Sequence, residues 1–493
     1  MSKKLRSRLF DSLPSGIPSR IVSRALSRRD VLAAGASAAA GAGIACAQGA
    51  RLRAARSVAR DPQACHHAPR AKRIVQLFMA GAPSQLDLFD DKPMLRRYDG
   101  KPMPKRLLDG QRFAFLKGHP TLLGSPYRFR KYGDHGAEVS ELLPHTASIV
   151  DKIALLKSVH TNPFNHGPAQ VFANTGHHLV GRPSLGSWLL YGLGADTRDL
   201  PGFCVLVSGK IDPGAGSACW SSGFLPSTLG GVELRTRGDL VPCVGDPAGM
   251  DRAARKRGID LLAKLNGVRS QRVGDPEIEA RTAAYQLAYR MQASSPELAD
   301  LESEPEHVHQ LYGSRPGKRS FANNCLLARR LLERGARCVQ VIHRGWDHHG
   351  SNNSDDLLHG LPNMCRQTDR AAAALVLDLE QRGMLEDTLV VWGGEFGRTP
   401  MQEVRNQTHL GRDHNPRAFT MWFAGGGIQP GQTIGETDEL GFQVESEAAH
   451  LHDVHATLLH LLGLDHERLT HRFQGRDYRL TDVHGKVVRK LLA

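Results

Sequence analysis

Short apolar runs recur along the chain and mark its expected strands. Three of them, at residues 74–79, 153–159 and 203–207, combine β-branched or aromatic side chains with flanking Pro, Gly or polar positions. Runs of this length and composition predict strands buried within a sheet. The first ordered element is therefore expected to be the strand at residues 74–79.

The C-terminal half alternates helical and strand patterns. Glycine follows two of the expected helices directly, and a residue that adopts the left-handed conformation readily is suited to end a helix. The expected helices span residues 321–334, 369–382 and 451–462, and the expected strands span residues 338–342, 389–392 and 419–423. This alternation predicts an α/β fold with a mostly parallel central sheet and helices on both faces, whose ligands bind in loops beyond the carboxyl ends of the strands.

The remaining patterns divide the chain into segments. Residues 252–311 carry a helical pattern with many charges and predict a helical insertion in a single α/β domain of residues 73–493. Residues 48–72 are rich in Arg and Ala and interrupted by Pro, which indicates a linker. The insertion either shapes a substrate pocket or only covers the sheet.

Residues 1–47 match a twin-arginine signal peptide. A Ser-Arg-Arg-Asp-Val-Leu motif at residues 27–32 precedes a weakly apolar, Ala/Gly-rich run and an Ala-Cys-Ala site. We expect cleavage after Ala47, export to the periplasm or cell envelope, and engagement of the twin-arginine translocation machinery. A lipoprotein cysteine at Cys46 and a folded amphipathic helix are the alternatives. No other run approaches the ~20 apolar residues that a stable membrane span needs.

Charge and cysteine content add two exclusions. The net charge is +14, but residues 1–47 hold eight Lys or Arg against two Asp or Glu, and the rest of the excess is dispersed. Without a basic stripe interleaved with aromatic residues, nucleic-acid binding is not expected. The eight cysteines include no CxxC pair, so neither a zinc ribbon nor a dense disulfide framework is implied.

Polar side chains cluster just beyond several of the expected strands. Asp87 follows the first strand, and the motif GWDHHG, which holds Asp347 and His349, follows the strand at residues 338–342. A carboxylate close to imidazoles supplies oxygen and nitrogen ligands for Zn, Mn or Fe. Since adjacent side chains do not easily point the same way, we expect Asp347 and His349 to face inward and His348 to point elsewhere.

Two further loops carry candidate residues. Glu395 and Arg398 lie in the Gly-rich segment after the strand at residues 389–392, where small residues let backbone and ligand approach closely. Arg398 can pair with an oxyanion through two N–H groups, or with Glu395 on the surface. His414 precedes the strand at residues 419–423 and is expected to bind metal. Four histidines of the last helix are expected to be structural: His450, His452, His455 and His460.

Four motifs resemble those of the alkaline-phosphatase/sulfatase superfamily: HGPAQVFANTG, EDTLVVWGGEFGRTP, GRDHNPRAFTMWF and HDVHATLLHLLGL. The whole arrangement, from GAPSQLDLFDDKP to FQGRDYRLTDVHGKVV, resembles the DUF1501 proteins, an exported bacterial branch of that superfamily. The resemblance covers roughly residues 73–485 and implies an alkaline-phosphatase-like α/β domain. It also implies one or two divalent ions (Zn, Mn, Ca or Fe).

The resemblance assigns roles to individual residues. One metal position would be built by Asp347, His349 and His414. A second would use Asp87 and Glu395, but Phe396 stands where the superfamily has a histidine, so that second position should be weak.

The resemblance also places His166 at the position of the nucleophile, where a sulfatase needs a Cys or Ser that is converted to formylglycine. Three roles for His166 remain open. It can form a phosphohistidine, bind metal, or act as general acid/base while a metal-activated water attacks; the last two are favoured.

The resulting expectation is an exported, metal-dependent hydrolase of sulfate or phosphate esters, with His166 and Arg398 facing an anionic small-molecule or glycan substrate. The alternative is a catalytically inactive, metal-containing binding or structural protein of the envelope. His166 and Phe396 favour that alternative.

Overall fold

The structure is a computed structural model that describes residues 65–210, 214–241 and 249–493. The predicted signal peptide at residues 1–47 and most of the predicted linker lie outside these residues. The end of the linker segment does lie within them, and there the N–H groups of Arg70 and Ala71 donate to the Leu461 carbonyl at 2.8 and 2.9 Å. The segment that precedes the first strand is thus hydrogen-bonded to the C-terminal part of the chain.

Nine strands form the central sheet of the described residues. Its strands are β1 (Arg73–Ala80), β4 (Ile153–His160), β5 (Phe203–Gly209), β6 (Val232–Leu234), β7 (Cys338–Arg344), β8 (Thr388–Gly393), β11 (Phe419–Ala424), β12 (Gln432–Ile434) and β15 (Ala449–His450). The spatial order is β12-β4-β11-β8-β1-β7-β5-β6, and β15 pairs with β4 beside this path. All neighbours are parallel except β11, which runs antiparallel to both β4 and β8.

The remaining strands form hairpins around this sheet. They are β2 (Phe129–Tyr132) with β3 (Ala137–Ser140), β9 (Gly397–Gln402) with β10 (Arg412–Asn415), β13 (Glu436–Thr437) with β14 (Val444–Ser446), and β16 (His471–Phe473) with β17 (Arg476–Tyr478). The β9–β10 hairpin matters most for the site below, because it joins the loop after β8 to the segment before β11.

Helices cover both faces of the sheet. They are α1 (Gln85–Leu88), α2 (Pro93–Arg97), α3 (Lys105–Leu108), α4 (Pro144–Ala147), α5 (His166–Thr175), α6 (Leu185–Leu193), α7 (Arg252–Val273), α8 (Pro276–Ala299), α9 (Glu306–Tyr312), α10 (Phe321–Glu333), α11 (Gly360–Gln381) and α12 (Leu451–Leu461).

Strand β1 is apolar at every position except Arg73 and Gln76, and its packing explains why. Val75, Leu77 and Met79 belong to the core that includes α10 and α11, whereas Ile74 and Phe78 belong to the core that includes α5, α6 and α12. Successive side chains of a strand point to opposite faces, so a strand covered on both sides has no position for a solvated residue. Burial on both faces therefore fixes β1 at the centre of three layers.

The predicted α/β class, with a mostly parallel sheet between helical layers, is confirmed. Helix α11 begins at Gly360, nine residues before the predicted start, because Pro362 lies in the first turn, where a missing N–H breaks no hydrogen bond. Residues 252–311, predicted as a helical insertion, contain α7, α8 and α9, and the turn between the first two contains Gly274, whose φ is +72°.

Within residues 65–210, 214–241 and 249–493, no helix has both the length and the apolar character that crossing a membrane requires.

The buried histidines of α12 predict how stability depends on pH. His455 is fully buried, its Nε2 lies 2.8 Å from the Ala173 carbonyl, and burial lowers its pKa to about 4. The unfolded chain, with a histidine pKa of about 6.5, therefore binds more protons than the folded chain between pH 6.5 and 4. The stability contributed by neutral His455 is complete above pH 6.5 and is lost as the pH falls toward 4.

We expect the free energy of unfolding of the wild-type protein to decrease between pH 7.5 and pH 5, and His455→Gln to remove about 2 kcal/mol of that decrease. Urea denaturation at both pH values measures the difference. His119→Gln, at an exposed position, is the control and should keep the wild-type slope. An unchanged slope in His455→Gln would contradict the assignment.

A candidate metal centre at the carboxyl ends of the strands

Loops from neighbouring strands meet at one edge of the sheet. Asp347 follows β7, Glu395 follows β8, and His166 lies after β4 as the first residue of α5. His414 lies on β10 and reaches the same edge because the next strand, β11, runs in the opposite direction. Gly81 follows β1 and packs so closely that a Cβ there would lie 2.7 Å from the Asp347 amide nitrogen.

Three histidine side chains converge at this edge on one oxygen of Asp347. His166 Nε2 lies 3.0 Å, His349 Nε2 2.7 Å and His414 Nε2 3.7 Å from Asp347 Oδ1, and the last two nitrogens lie 3.1 Å apart. One donor atom from each of these residues lies within 4.8 Å of the others. His166 Nε2 is buried, and Asp347 Oδ1 is the carboxylate oxygen it faces. The four residues form the metal-type group of the site.

The opposite ring nitrogen of each histidine already has an acceptor. His166 Nδ1 lies 2.7 Å from Glu395 Oε1, His414 Nδ1 lies 2.7 Å from the Phe164 carbonyl, and His349 Nδ1 bonds to Glu403. Carboxylates and carbonyls only accept, so each Nδ1 must carry the proton and donate it. When the ring is neutral, its Nε2 carries a lone pair aimed at the group, as in metal-ligating histidines.

Burial and neighbouring charges shift the pKa values of the site in opposite directions. The pKa of Asp347 is far below its usual range, because the Arg398 guanidinium and the neighbouring histidines outweigh the effect of burial. Burial also lowers the pKa of His414 to about 3. For His166, burial is outweighed by the Asp347 and Glu395 carboxylates, which raise its pKa to about 9. Asp347 therefore stays ionised. When no cation competes for the site, His166 carries a proton.

Arg398 lies below the group with its guanidinium occupied. Its Nε donates to the Ala82 carbonyl at 3.0 Å, its Nη1 to the Arg412 carbonyl at 3.1 Å, and its Nη2 to the Gly81 carbonyl and Asp347 Oδ1 at 2.5 and 2.6 Å. The side chain is 1% exposed. Arg398 thus binds Asp347 and three backbone carbonyls. It was predicted to face an anionic substrate, but its guanidinium does not face open space.

Asp87, predicted as a ligand of a second metal, lies outside the group. Its carboxylate accepts two hydrogen bonds from Arg412, at 2.8 and 3.1 Å, and one from Ser84 Oγ at 2.5 Å. Both charged side chains are 0% exposed. The carboxylate is therefore used in a buried bidentate ion pair, which could not be predicted from the sequence because Arg412 lies far away along the chain.

Glu395 also differs from the prediction. It accepts from the Gly81 N–H at 2.9 Å, from Gln170 at 3.1 Å and from His166, so it orients a histidine rather than joining the group. The space expected for a second ion is apolar, since Phe396 packs with Ala82 and Ala169 in a small buried cluster.

No role was predicted for Glu403, whereas metal binding was one of the two roles favoured for His166, which lies in the group. Glu403 lies just beyond β9 and bonds both His349 and Arg405, and no motif marks it. His348, expected to point away, is buried outside the group, where burial lowers its pKa to about 3.

The fold and the site define the class: a three-layer α/β protein with three histidines and one aspartate converging at the carboxyl edge of its sheet. The sequence matches the profile of the family described as "Protein of unknown function (DUF1501)" over residues 71–492, and the chain belongs to this family. No curated protein matches the sequence.

Solved structures of the superfamily that the motifs resemble are similar to this one. A PsFucS1 sulfatase from Pseudoalteromonas sp. is 12% identical, with 86% of this chain and 72% of that chain covered and a TM-score of 0.37. An alkaline-phosphatase-superfamily protein from Vibrio parahaemolyticus is 11% identical, with 82% and 69% covered and a TM-score of 0.33. The alkaline phosphatase of the Antarctic bacterium TAB5 is 11% identical, with 74% and 94% covered and a TM-score of 0.30. With TM-scores below 0.5, these likenesses carry no argument about activity.

The buried ion pair predicts different roles for Asp87 and the converging group. Asp87→Asn leaves the Arg412 charge unpaired in the interior, so we expect the free energy of unfolding to fall by about 3–5 kcal/mol. The metal content of the folded protein should not change. Asp91→Asn, which breaks the surface pair with Arg96, is the control and should cost less than about 1 kcal/mol. Loss of metal without loss of stability in Asp87→Asn would restore its predicted role as a ligand.

Proposed function

We propose that the protein is a metal-dependent hydrolase of phosphate or sulfate esters that uses a single divalent ion held by Asp347, His349, His414 and His166. The observation that carries the proposal is the convergence of three Nε2 atoms near one carboxylate oxygen, with every Nδ1 engaged by an acceptor. One donor atom from each of the four residues lies within 4.8 Å of the others, close enough for all four to reach a single ion.

The donor set supports particular metals. Imidazole nitrogens with one carboxylate suit Zn, Mn or Fe, whereas Ca prefers a shell of oxygen ligands. The Glu395–His166 and Glu403–His349 pairs would hold the rings in place and make their nitrogens stronger ligands. The apolar packing of Phe396 against Ala82 and Ala169 favours one ion over the two that the superfamily resemblance allows.

The surroundings favour an anionic substrate. Helix α5 begins at His166, and the side chain of its N-terminal flanking residue, Asn165, makes no capping hydrogen bond. The positive end of the helix and its free N–H groups attract an anion to this edge. The Asp347 side chain is 38% exposed, which leaves the group open to solvent and substrate on that side.

A divalent ion at this position would act as a Lewis acid on an ester oxygen and lower the pKa of a water molecule to about 7, which removes the need for a side-chain nucleophile. The chain's own residues have supporting roles. Glu395 holds the Nδ1 proton of His166, Arg398 fixes the Asp347 carboxylate, and α5 attracts the anion. A small-molecule or glycan ester, met after twin-arginine export to the periplasm or envelope, is the proposed substrate class.

The first test combines metal analysis with turnover. We expect about one equivalent of transition metal per chain and hydrolysis of at least one aryl phosphate or sulfate in a broad ester screen. His414→Ala should lose the metal and lower kcat/KM at least 100-fold while keeping its circular dichroism spectrum. His119→Ala, at an exposed site, should behave as wild type.

Metal bound as expected but without turnover on any ester would favour the alternative, a catalytically inactive envelope protein that keeps the ion for stability. Phe396 in place of a metal-type residue is the observation that favours it. Full metal content in His414→Ala, or a stable wild type without metal, would overturn the proposed site itself.

The second test concerns Glu395. Glu395→Gln removes the negative charge behind His166 but keeps the shape of the side chain, so we expect the metal dissociation constant to rise 10- to 100-fold. Competition with a chromophoric chelator measures it. Glu380→Gln, whose carboxylate pairs with Lys152 at the surface, is the control and should leave affinity unchanged. Equal affinities in the two variants would mean that Glu395 does not support a ligand.

A further inference from the structure

A second group with metal-ligand chemistry lies outside the site described above. Asp356 and His359 lie in the loop before α11, and His409 lies between β9 and β10. His359 Nδ1 and His409 Nδ1 each lie 2.9 Å from the same oxygen, Asp356 Oδ2. The three donor atoms form a compact set that shares no residue with the first group.

The carboxylate at the centre of this set is fixed in place. Asp356 is 0% exposed, and its other oxygen, Oδ1, accepts the N–H groups of His359 and Gly360 at 2.7 and 3.0 Å. These bonds occupy Oδ1 and turn Oδ2 toward the two imidazoles. His359, by contrast, has a side chain that is 59% exposed, so one side of the set is open to water.

We infer that Asp356, His359 and His409 bind a second divalent transition ion, such as Zn²⁺, with water completing its coordination. Zinc bonds to imidazole nitrogen and carboxylate oxygen at about 2.0–2.2 Å in tetrahedral geometry, so two such ligands lie about 3.4 Å apart. The observed separations of 2.9 Å are those of hydrogen bonds, and small side-chain rotations would widen them by the ~0.5 Å that the ion needs. Two imidazoles and one carboxylate also form a set that first-row transition ions accept with open positions.

This ion would join two segments that carry residues of the first group. The loop of Asp356 and His359 continues from His349, and the segment of His409 leads into His414. Backbone hydrogen bonds already connect the segments, from Leu357 N–H to the Leu410 carbonyl at 2.9 Å and from Arg412 N–H to the His348 carbonyl at 3.1 Å. Binding at the second site would therefore stabilise the loop pair behind the first site without adding a ligand to it.

The test counts Zn²⁺ bound to the full chain by equilibrium dialysis, with circular dichroism to verify folding. We expect His359→Gln and His409→Gln each to lose one equivalent, or to weaken one class of site at least tenfold, and to lose part of the rise in Tm that Zn²⁺ causes in the wild type. His119→Gln, an exposed histidine elsewhere, should bind as the wild type does. Because His359 is largely exposed, its variant should fold.

The two sites can be separated with His414→Ala. If the equivalent of Zn²⁺ that is lost in His359→Gln is still bound in His414→Ala, the second site exists whatever becomes of the proposed hydrolase centre. If both His359→Gln and His409→Gln bind as much Zn²⁺ as the wild type with the same affinity, the inference is overturned. Binding that His119→Gln reduces equally would also overturn it, since that result indicates unspecific surface histidines.

Discussion

The site depends on the buried guanidinium of Arg398. Its hydrogen bonds reach the carbonyls of Gly81 and Ala82 after β1, the Arg412 carbonyl on β10, and the carboxylate of Asp347 after β7. A buried charge is costly unless its partners are complete, so this cation keeps three separate parts of the chain at a fixed spacing. The segments that carry the histidines are held by this spacing, and the histidines therefore converge. Arg398 was predicted to face a substrate anion, but in the structure it supports the site from within.

The buried Asp87–Arg412 pair serves the same edge of the sheet. It joins the loop after β1 to β10, the strand that carries His414, with both side chains excluded from solvent. Together with Phe396, Ala82 and Ala169, it occupies the region where the superfamily resemblance led us to expect a second ion. That region is filled by a buried ion pair and apolar side chains instead of metal ligands. This filling of the region is the physical basis for proposing one ion at the site.

Much of the fold could be predicted from the sequence because strands buried on both faces leave a strong local signal. Strand β1, for example, is apolar from Ile74 to Ala80 except at Gln76, and the loops after β7 and β8 are marked by charged residues at strand ends. Asp347, His349 and His414 were found by that reasoning and lie together. Partner choice was not predictable: nothing local indicates that Asp87 pairs with Arg412, or that Glu403 bonds His349 across the β9–β10 hairpin. Such pairings depend on three-dimensional contacts between distant segments.

The charges around the group indicate why a cation suits it. Asp347, Glu395 and Glu403 bring negative charge to the imidazoles, whereas Arg398 and Arg405 are the cations that contact these carboxylates. With neutral rings the carboxylates exceed the cations, and the raised pKa of His166 reflects that excess. A proton on His166 corrects the imbalance at only one of the three rings. A divalent ion near Asp347 Oδ1 would correct it at all three Nε2 atoms at once, and would displace that proton because metal and proton compete for the same lone pair.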